Sequence, residues 1–337
     1  MTVSIVIAVK AWQSNLEECL AKCLKIDYPD FELIILPDEP IKEELLSVQC
    51  RSGGLNLHYG ITCGGEVPIR IIPTGAVKPA LKRDLALKSA KGEIIAFLDD
   101  DAYPASDWLK NALEDFKDLE VAAVGGPSVT PESDNLRQKA SGAVYSSFLV
   151  GGKFIYRYIP GRRQEVDDYP SCNFLVRKSL LLQLGGFNTD FWPGEDTKLC
   201  LEITKKLKKK IIYDPKVLVY HHRRQVFLPH LKQIASYAMH RGYFVKIYPQ
   251  TSFRIAYFIP SIFLIGLVAG FFLALISKPL SAIYLSVLIF YLMLVFLFAI
   301  RKLRLFPLVF PAIILTHLTY GIYFLKGLFV FGLDERS

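Results

Sequence analysis

The sequence predicts an α/β domain with a largely parallel sheet, followed by a C-terminal region of membrane-spanning helices. Three observations support this fold class. Short apolar runs alternate with helical patterns over the first 100 residues, which is typical of β-α-β units. One of these runs, Ile94–Leu98, ends directly at three consecutive aspartates. Three long stretches near the C-terminus carry no charged side chain, as membrane helices require.

The first 100 residues contain the elements of a parallel sheet in order. Uninterrupted apolar runs predict strands that are buried on both faces, at Val3–Val9, Phe31–Leu36, Ile69–Ile72 and Ile94–Leu98. Helical spacing predicts helices between them, at Leu16–Leu24 and Lys78–Lys91. No GxGxxG pattern follows the first strand, which argues against a dinucleotide-binding fold.

The fourth predicted strand ends at the carboxylates of Asp99, Asp100 and Asp101. Open α/β sheets bind ligands beyond the carboxyl ends of their strands, and Asp38 follows the second strand at the same edge. Adjacent carboxylates repel one another unless a cation lies among them, and their hard oxygen atoms suit Mg²⁺ or Mn²⁺ carrying a diphosphate. We therefore expect a metal–diphosphate site here. The alternative, for this stretch alone, is a solvated acidic turn.

A second acidic pair, Glu195–Asp196, follows Gly194 and opens a predicted helix. A carboxylate at this place can take a proton from an attacking hydroxyl, or it can simply cap the free N–H groups of the helix. Before it, the polar segment Pro127–Arg163 is predicted to be mobile and to cover a substrate, because it is long and contains glycines.

A cationic cluster, His221 to Arg224, follows the short predicted strand Val217–Tyr220. Guanidinium groups bind phosphate oxygens in pairs, so Arg223 and Arg224 are predicted to hold a diphosphate, with His222 as a further metal ligand. The alternative is that the cluster only contacts anionic lipid. Residues 201–250 hold eleven Lys or Arg and two acidic residues, and no nucleic-acid-binding motif accompanies them. No nucleic-acid partner is therefore expected.

Three segments, at about 255–277, 279–300 and 305–326, are long and apolar enough to cross a membrane, and they carry no charge before Lys326. The hydrophobic content of 52% and the mean hydropathy of +0.30 are high for a wholly soluble protein, and the excess lies at this end of the chain. Arg301, Lys302 and Arg304 lie between the second and third segments, whereas the turn before the second carries only Lys278. The positive-inside rule then places residues 301–304 and everything before Arg254 in the cytosol, and the C-terminus outside.

These patterns predict three parts. Residues 1–225 form a cytosolic domain without a cleavable leader, and residues 253–332 form the membrane helices. Between them, residues 226–252 mix aromatic, apolar and basic side chains, which is typical of a helix lying in the membrane interface. An ordinary surface helix is the alternative. The protein is thus expected in the cytoplasmic membrane.

The motifs, in this order, resemble membrane-anchored family 2 glycosyltransferases, which have the GT-A fold, a Rossmann-like mixed sheet that binds nucleotide-diphospho-sugars. The resemblance covers roughly residues 2–245. Leu98–Asp101 matches the DxD motif of the family, which implies that Asp99 lies near the ribose and the metal and that Asp101 coordinates the metal. Gly194–Asp196 matches its acidic pair, which implies that Asp196 is the catalytic base, with Glu195 beside it.

The resemblance also implies substrate contacts. Asp38 stands where the family contacts the nucleotide base, and the other residues predicted to bind the nucleotide sugar are Arg83, Asp99, Asp100, Arg223 and Arg224. The predicted ligands of Mn²⁺ or Mg²⁺ are Asp99, Asp101 and His222. Gln233 and Arg241 are assigned to the acceptor at the membrane interface; they loosely resemble the Gln-x-x-Arg-Trp element of processive members, without its Trp. Lys82–Asp84 replaces the common Ala-Arg-Asn.

The expected activity is metal-dependent transfer of a sugar, with inversion, from a UDP-linked or other nucleotide sugar. The expected acceptor is a membrane-associated molecule such as polyprenyl phosphate or a lipid-linked saccharide, in the synthesis of a cell-envelope glycan. Synthesis of an extracellular polysaccharide is an alternative, although three helices are few for an export channel. An alternative of another class is a non-catalytic membrane scaffold, which would not require the acidic groups.

Overall fold

The computed structural model describes residues 1–41, 56–58, 61–63 and 67–333, which belong to two compact units. The first unit comprises Met1–Val129 and Ile159–His221, and the second comprises Thr130–Tyr158 and the chain from His222 onward. The boundary between them differs from that of the 1–225 domain expected from sequence, because residues 130–158 pack with the C-terminal helices.

The strands of the first unit form a mixed eight-stranded sheet, a three-stranded sheet and a hairpin. Over the described residues they are β1 (Val3–Ala8), β2 (Phe31–Leu36), β3 (Asn56–His58), β4 (Ile61–Cys63), β5 (Ile69–Ile71), β6 (Ile94–Asp99), β7 (Ala102–Pro104), β8 (Val121–Gly125), β9 (Ser128–Val129), β10 (Gln164–Val166), β11 (Asn173–Arg177), β12 (Lys210–Tyr213) and β13 (Val219–His221).

The large sheet has the strand order β10-β12-β8-β11-β6-β1-β2-β5. Strands β5, β2, β1 and β6 are parallel, which confirms the parallel arrangement predicted for the first 100 residues. Strand β11 is antiparallel to both β6 and β8, so the complete sheet is mixed. Strand β6 lies between two other strands with its apolar side chains buried, and the register pairs Asp99 with Ala8 at the carboxyl edge.

The small sheet has the strand order β7-β13-β9. Its strand β7 begins directly after the three aspartates. Antiparallel pairing places His221 opposite Ala102, and the rings of Tyr103 and Tyr220 stack with centroids 5.1 Å apart. This register brings the end of β13 beside Asp101, which directly precedes β7.

The helices, in chain order over the described residues, are α1 (Ser14–Cys23), α2 (Pro79–Leu87), α3 (Trp108–Asp115), α4 (Leu136–Tyr145), α5 (Phe148–Gly151), α6 (Lys178–Leu184), α7 (Glu195–Leu201), α8 (Leu228–Ile247), α9 (Pro249–Ser252), α10 (Ile255–Ala274), α11 (Lys278–Ala299) and α12 (Phe306–Phe329). Helices α4, α5 and α8–α12 belong to the second unit.

The segment Pro127–Arg163, expected to be mobile and to cover a substrate, is largely helical in its second-unit part, and its mobility stays a prediction. Asn135 caps α4 by accepting hydrogen bonds from the N–H groups of Arg137 and Gln138, and the Gln138 side chain completes a capping box. The apolar side chains of α4 share a buried core with those of α12, among them Val144 and Ile313. The cap and this apolar face stabilise a packed helix.

Two stretches of the second unit are long and apolar enough to cross a membrane, Ile255–Ala274 and Lys278–Phe329. The second is interrupted at Lys302, whose φ of −120° and ψ of 63° are not helical, so it divides into α11 and α12. These helices correspond to the three segments predicted from sequence. Helix α8 packs closely against α12, since a Cβ atom on Gly242 would lie 2.2 Å from the carbonyl oxygen of Phe324.

Candidate active site

Two aspartates and a histidine of the first unit form a cluster at the carboxyl edge of the large sheet. One ligand atom from each of Asp99, Asp101 and His221 lies within 4.8 Å of the others. His221 Nε2 is 3.0 Å from Asp101 Oδ1. Strand β6 delivers Asp99, the turn after it delivers Asp101, and β13 delivers His221. Carboxylate oxygens together with an imidazole nitrogen form a donor set that fits a divalent cation.

The histidine in this cluster is His221, whereas the sequence analysis took His222 as the metal ligand. The ring of His222 instead forms a hydrogen bond through Nδ1 with the carboxylate of Asp134, in the second unit. Successive side chains of an extended chain point to opposite sides, so only one of two neighbouring histidines can face the aspartates. The register of β13 with β7 decides which one does.

Arg83 joins the aspartate cluster to the second acidic pair. Its Nη2 atom lies 3.1 Å from Asp99 Oδ1, and its Nη1 atom donates a 2.8 Å hydrogen bond to Glu195 Oε1. The guanidinium is buried, and burial acts to lower the pKa of Arg83, but the charges of Glu195 and Asp99 outweigh it and raise that pKa. Arg83 therefore neutralises two carboxylates, and its predicted contact with the nucleotide sugar stays a prediction.

Burial also affects Asp99. It raises the pKa of Asp99 above its usual value; the charge of Arg83 opposes this shift, and the charge of Asp101 adds to it. A bound divalent cation would favour the ionised form of the same carboxylate, because an opposite charge nearby lowers a carboxyl pKa. A divalent cation bound here would therefore offset the repulsion between the carboxylates of Asp99 and Asp101.

Glu195 and Asp196 differ in their surroundings at the start of α7. Glu195 is buried, and its Oε2 atom accepts a hydrogen bond from the backbone N–H of Gly194 at 3.0 Å while Oε1 accepts from Arg83. Asp196 is only partly buried, and it accepts from the backbone N–H groups of Thr197 at 2.7 Å and Ser171 at 3.3 Å. Of the two carboxylates, Asp196 is the more accessible to a substrate.

The side chain of Asp38 forms an ion pair with Lys82. The buried ammonium of Lys82 also donates to the carbonyl oxygens of Val9 at 2.5 Å and Leu36 at 3.1 Å, which lie at the ends of β1 and β2. Lys82 thereby holds Asp38 at the carboxyl edge of the sheet. In the sequence alone, Lys82 is apparent only as a difference from the family motif.

Asp100, predicted to bind the nucleotide sugar, accepts a hydrogen bond from the side chain of Gln13. Burial, together with the charges of Asp101 and Asp99, raises the pKa of Asp100 to about 6, although the bond from Gln13 opposes this rise. Sequence reasoning did not select Gln13, because only the folded chain brings it next to the aspartates.

The predicted diphosphate-binding arginines lie in the second unit, and their exposure differs. Arg223 is buried, with its guanidinium carbon 5.2 Å from the ring centroid of Tyr158 and 5.9 Å from that of Tyr145. Its backbone N–H donates to Asp134 at 3.3 Å. Arg224 is exposed. The two adjacent arginines thus differ in their surroundings, and their predicted binding of a diphosphate stays a prediction.

The residues assigned to the acceptor, Gln233 and Arg241, both lie on α8 of the second unit. Gln233 accepts a 3.1 Å hydrogen bond from the hydroxyl of Tyr145 and donates one of 3.0 Å to the hydroxyl of Tyr237. The guanidinium carbon of Arg241 is 4.8 Å from the ring centroid of Tyr257, at the start of α10. Tyrosine side chains thus contact both residues.

Two curated relatives are similar in sequence. A dolichyl N-acetyl-α-D-glucosaminyl phosphate 3-β-D-2,3-diacetamido-2,3-dideoxy-β-D-glucuronosyltransferase of Methanococcus voltae is 24% identical over 252 residues, which are 72% of this chain and 74% of that protein. A pre-mycofactocin glycosyltransferase of Mycobacterium tuberculosis is 32% identical over 151 residues, but these are only 44% of this chain and 31% of that protein.

The fold is similar to that of the mannosyltransferase PcManGT from Pyrobaculum calidifontis, solved in complex with GDP-Man and Mn²⁺. The TM-score is 0.63 at 19% identity, over 97% of this chain and 87% of that one. This likeness confirms the GT-A fold predicted from the motifs. A sequence profile described as Glycosyl transferase family 2 matches residues 4–185, which are more than half of the chain. The chain therefore belongs to glycosyl transferase family 2.

Proposed function

We propose that this protein transfers a sugar, with inversion at the anomeric carbon, from a UDP-linked nucleotide sugar to a membrane-associated acceptor in the synthesis of a cell-envelope glycan. The observation that carries the proposal is the convergence of two acidic motifs. Arg83 bridges Asp99 of the first motif and Glu195 of the second, so a donor diphosphate and a catalytic base belong to one site.

Asp99, Asp101 and His221 would hold the divalent cation. When bound, this ion neutralises negative charge on the departing nucleoside diphosphate. Mg²⁺ prefers ligands that are all oxygen, whereas Mn²⁺ also accepts an imidazole nitrogen, so the presence of His221 favours Mn²⁺. Arg83 keeps Asp99 and Glu195 in place, and Asp38, held by Lys82, is assigned to the nucleotide base.

Asp196 is assigned to proton removal from the acceptor. Backbone N–H groups of Ser171 and Thr197 donate to Asp196 and orient its carboxylate, and a carboxylate oriented in this way can take a proton from a hydroxyl. A phosphate oxygen is already deprotonated near neutral pH and needs no such base. Of the two expected acceptors, the base thus favours a hydroxyl of a lipid-linked saccharide over polyprenyl phosphate. The Methanococcus voltae relative also bears the name of an enzyme acting on a lipid-linked sugar.

The membrane location and the cytosolic orientation of the first unit belong to the same proposal. Two candidate spans in the second unit support the membrane location. Acceptors anchored in a bilayer remain at its surface, so an enzyme with its own anchor meets them at a high effective concentration.

The test is a donor panel on the full-length protein purified in detergent. UDP-, GDP- and dTDP-sugars are incubated with Mn²⁺, Mg²⁺ or EDTA, and both binding and release of the nucleotide are measured. We expect one nucleotide to be selected in a metal-dependent way. Asp101→Asn should lose metal-dependent binding, whereas Asp196→Asn should still bind the donor but lose 10²-fold or more in turnover, roughly the contribution of a general base.

Binding of no nucleotide sugar by the wild-type protein would contradict the proposal and favour the non-catalytic scaffold. Full turnover by Asp196→Asn would contradict the assignment of the base while leaving the donor site in place.

A further inference from the structure

Helix α2 carries three consecutive charged residues, and each contacts a different part of the first unit. Lys82 pairs with Asp38, and Arg83 pairs with Asp99 and Glu195. Asp84 accepts hydrogen bonds from the backbone N–H groups of Phe187 at 2.7 Å and Asn188 at 3.1 Å. The first two contacts belong to the site described above, whereas the third has no assigned role.

The backbone that Asp84 contacts has an uncommon conformation. Gly185, Gly186 and Asn188 have positive φ angles of 80°, 85° and 42°. Successive residues of this kind can turn their N–H groups toward a common point, which forms a concave anion-binding site in the backbone. The Asp84 carboxylate fills this place so closely that a Cβ atom on Gly186 would lie 2.2 Å from its Oδ1 atom.

Phe187, whose backbone N–H donates a hydrogen bond to Asp84, is fully buried beneath the active site. Its ring meets the ring of Phe97 edge-on at 5.1 Å, and Phe97 lies two residues before Asp99 on β6. The guanidinium carbon of Arg83 lies 5.5 Å from the centroid of Phe187 and 5.9 Å from that of Phe97. The two rings therefore form a surface against which the guanidinium of Arg83 lies.

The same residue is also held at its carbonyl group. Lys198 Nζ donates a 3.2 Å hydrogen bond to the carbonyl oxygen of Phe187 and another of 3.0 Å to Glu202. Lys198 belongs to α7, the helix that begins with Glu195 and Asp196. Phe187 is thus connected to α2 through Asp84, to β6 through Phe97 and to α7 through Lys198.

We propose that Asp84 is a positioning residue that, by anchoring Phe187, sets the placement of Arg83 and through it the relative placement of the metal-binding aspartates and the acidic pair. This inference rests on the proposed function for the roles of Asp99 and Asp196. It goes beyond that function because it gives a role to Asp84, the last residue of the Lys82–Asp84 sequence that replaces Ala-Arg-Asn. Asp84 binds backbone N–H groups rather than substrate.

An amide at position 84 replaces one acceptor oxygen with an N–H₂ donor, which then faces one of the two backbone N–H donors. Asp84→Asn should therefore shift Phe187 without removing any group that touches the substrate. A misplacement of about 1 Å far from the chemistry can cost about 10²-fold in rate. We expect kcat to fall about 10- to 100-fold while KM for the donor changes less than about 3-fold.

Phe187→Leu provides a second variant that keeps the backbone N–H groups and removes only the ring surface under Arg83. It should lower kcat in the same direction by a smaller factor. Asp115→Asn is the matched control, because Asp115 is a carboxylate, itself buried, that also accepts two hydrogen bonds, from Arg163 at 3.0 and 2.6 Å, and it contacts none of these residues. Asp115→Asn should keep wild-type kcat even if its midpoint of thermal unfolding falls as far as that of Asp84→Asn.

Hydrogen exchange of the backbone amides, read by mass spectrometry, gives a readout that does not depend on activity. In Asp84→Asn, peptides covering residues 185–198 should exchange faster than in the wild-type protein or in Asp115→Asn. Unchanged exchange there would overturn the inference, and so would an unchanged kcat in an active enzyme. Failure of the wild-type protein to use any nucleotide sugar would count against the proposed function alone, since the exchange experiment still decides whether Asp84 anchors this segment.

Discussion

Single side chains determine much of the electrostatics of both units, and Arg83 shows how. A carboxylate taken out of water without a partner costs several kcal/mol, so buried Glu195 requires the guanidinium that it faces. Because Arg83 also pairs with Asp99, one cation stabilises charges of two motifs that lie about a hundred residues apart in the chain. Removal of Arg83 is therefore expected to affect both motifs together.

In the second unit, the buried and neutral ring of His230 is the side chain that connects several helices. Thr316 donates its hydroxyl hydrogen to the carbonyl oxygen of Ala312 at 2.7 Å, so its oxygen accepts from His230 Nε2 at 3.0 Å. The other ring nitrogen, Nδ1, then accepts from Ser141 at 2.8 Å. The neutral ring thus connects α8 to α12 and α4, and burial lowers the pKa of His230 to about 4.

The pKa of His230 predicts how stability depends on pH. The unfolded histidine titrates near pH 6.5, so the unfolded state takes up a proton before the folded state does as pH falls. Stability should be fully present above about pH 6.5 and decrease as pH falls toward 4, by up to about 3 kcal/mol. The measurement is the midpoint of thermal unfolding in detergent at pH 7.5, 6.5, 5.5 and 4.5.

His230→Asn serves as the control for this pH dependence. It should be less stable at pH 7.5, because it cannot bond both hydroxyls as the ring does, but its stability should decrease less between pH 6.5 and 4.5. An equal decrease in both proteins would show that other groups cause the pH dependence.

Among the elements of the second unit, α8 and α12 approach each other closely. A Cβ atom would lie 2.2 Å from the carbonyl oxygen of Phe324 if added to Gly242, and 2.1 Å from that of Met239 if added to Gly327. Two glycines on facing helices thus let the backbones approach, as in membrane helix pairs. The interface helix predicted from sequence therefore has one face covered by protein rather than by lipid.

This contact predicts the effect of a single methyl group. Gly242→Ala should destabilise the protein by about 1–3 kcal/mol, because the helices must separate to admit the Cβ atom. Gly266→Ala, on α10, is the matched control: no atom lies within 4 Å of its added Cβ, so it should cost nothing. Thermal unfolding in the same detergent compares the two, and equal stability would contradict the close packing.

For the whole molecule, the arrangement of charge around the candidate spans predicts an orientation in the membrane. Arg301, Lys302 and Arg304 surround the break between α11 and α12, whereas the turn after α10 carries only Lys278. The break should therefore face the cytosol and the turn should face outward. Ile276 and Leu303 are both 73% exposed, one in each place.

Cysteine labelling tests this orientation with that matched pair. In a background with Cys50 and Cys63 replaced by serine, a membrane-impermeant maleimide should label Ile276→Cys from outside intact cells. Leu303→Cys should react only in inverted vesicles. The remaining cysteines, Cys19, Cys23, Cys172 and Cys200, are buried and should give little background. The reverse pattern would place the active site on the other side of the membrane.

Local sequence patterns were sufficient to predict the parallel strands, the two acidic motifs and the apolar C-terminal helices. Each of these is written in a continuous stretch: a buried strand such as Ile94–Leu98 is an unbroken apolar run, and a membrane helix is a long uncharged one. The acidic motifs follow such stretches directly, so their place at the sheet edge followed from local pattern alone.

Which side chains contact one another depends on the folded chain. The register of β13 selects His221 over His222 for the aspartate cluster, and a shift of one residue would reverse that choice. Glu195, which Arg83 contacts, and the backbone that Asp84 contacts lie about a hundred residues further along the chain, and no local pattern specifies them. The 130–158 segment joins the second unit because its apolar face finds a core there. Local hydrophobic periodicity predicts elements, whereas contacts distant in sequence depend on how those elements pack.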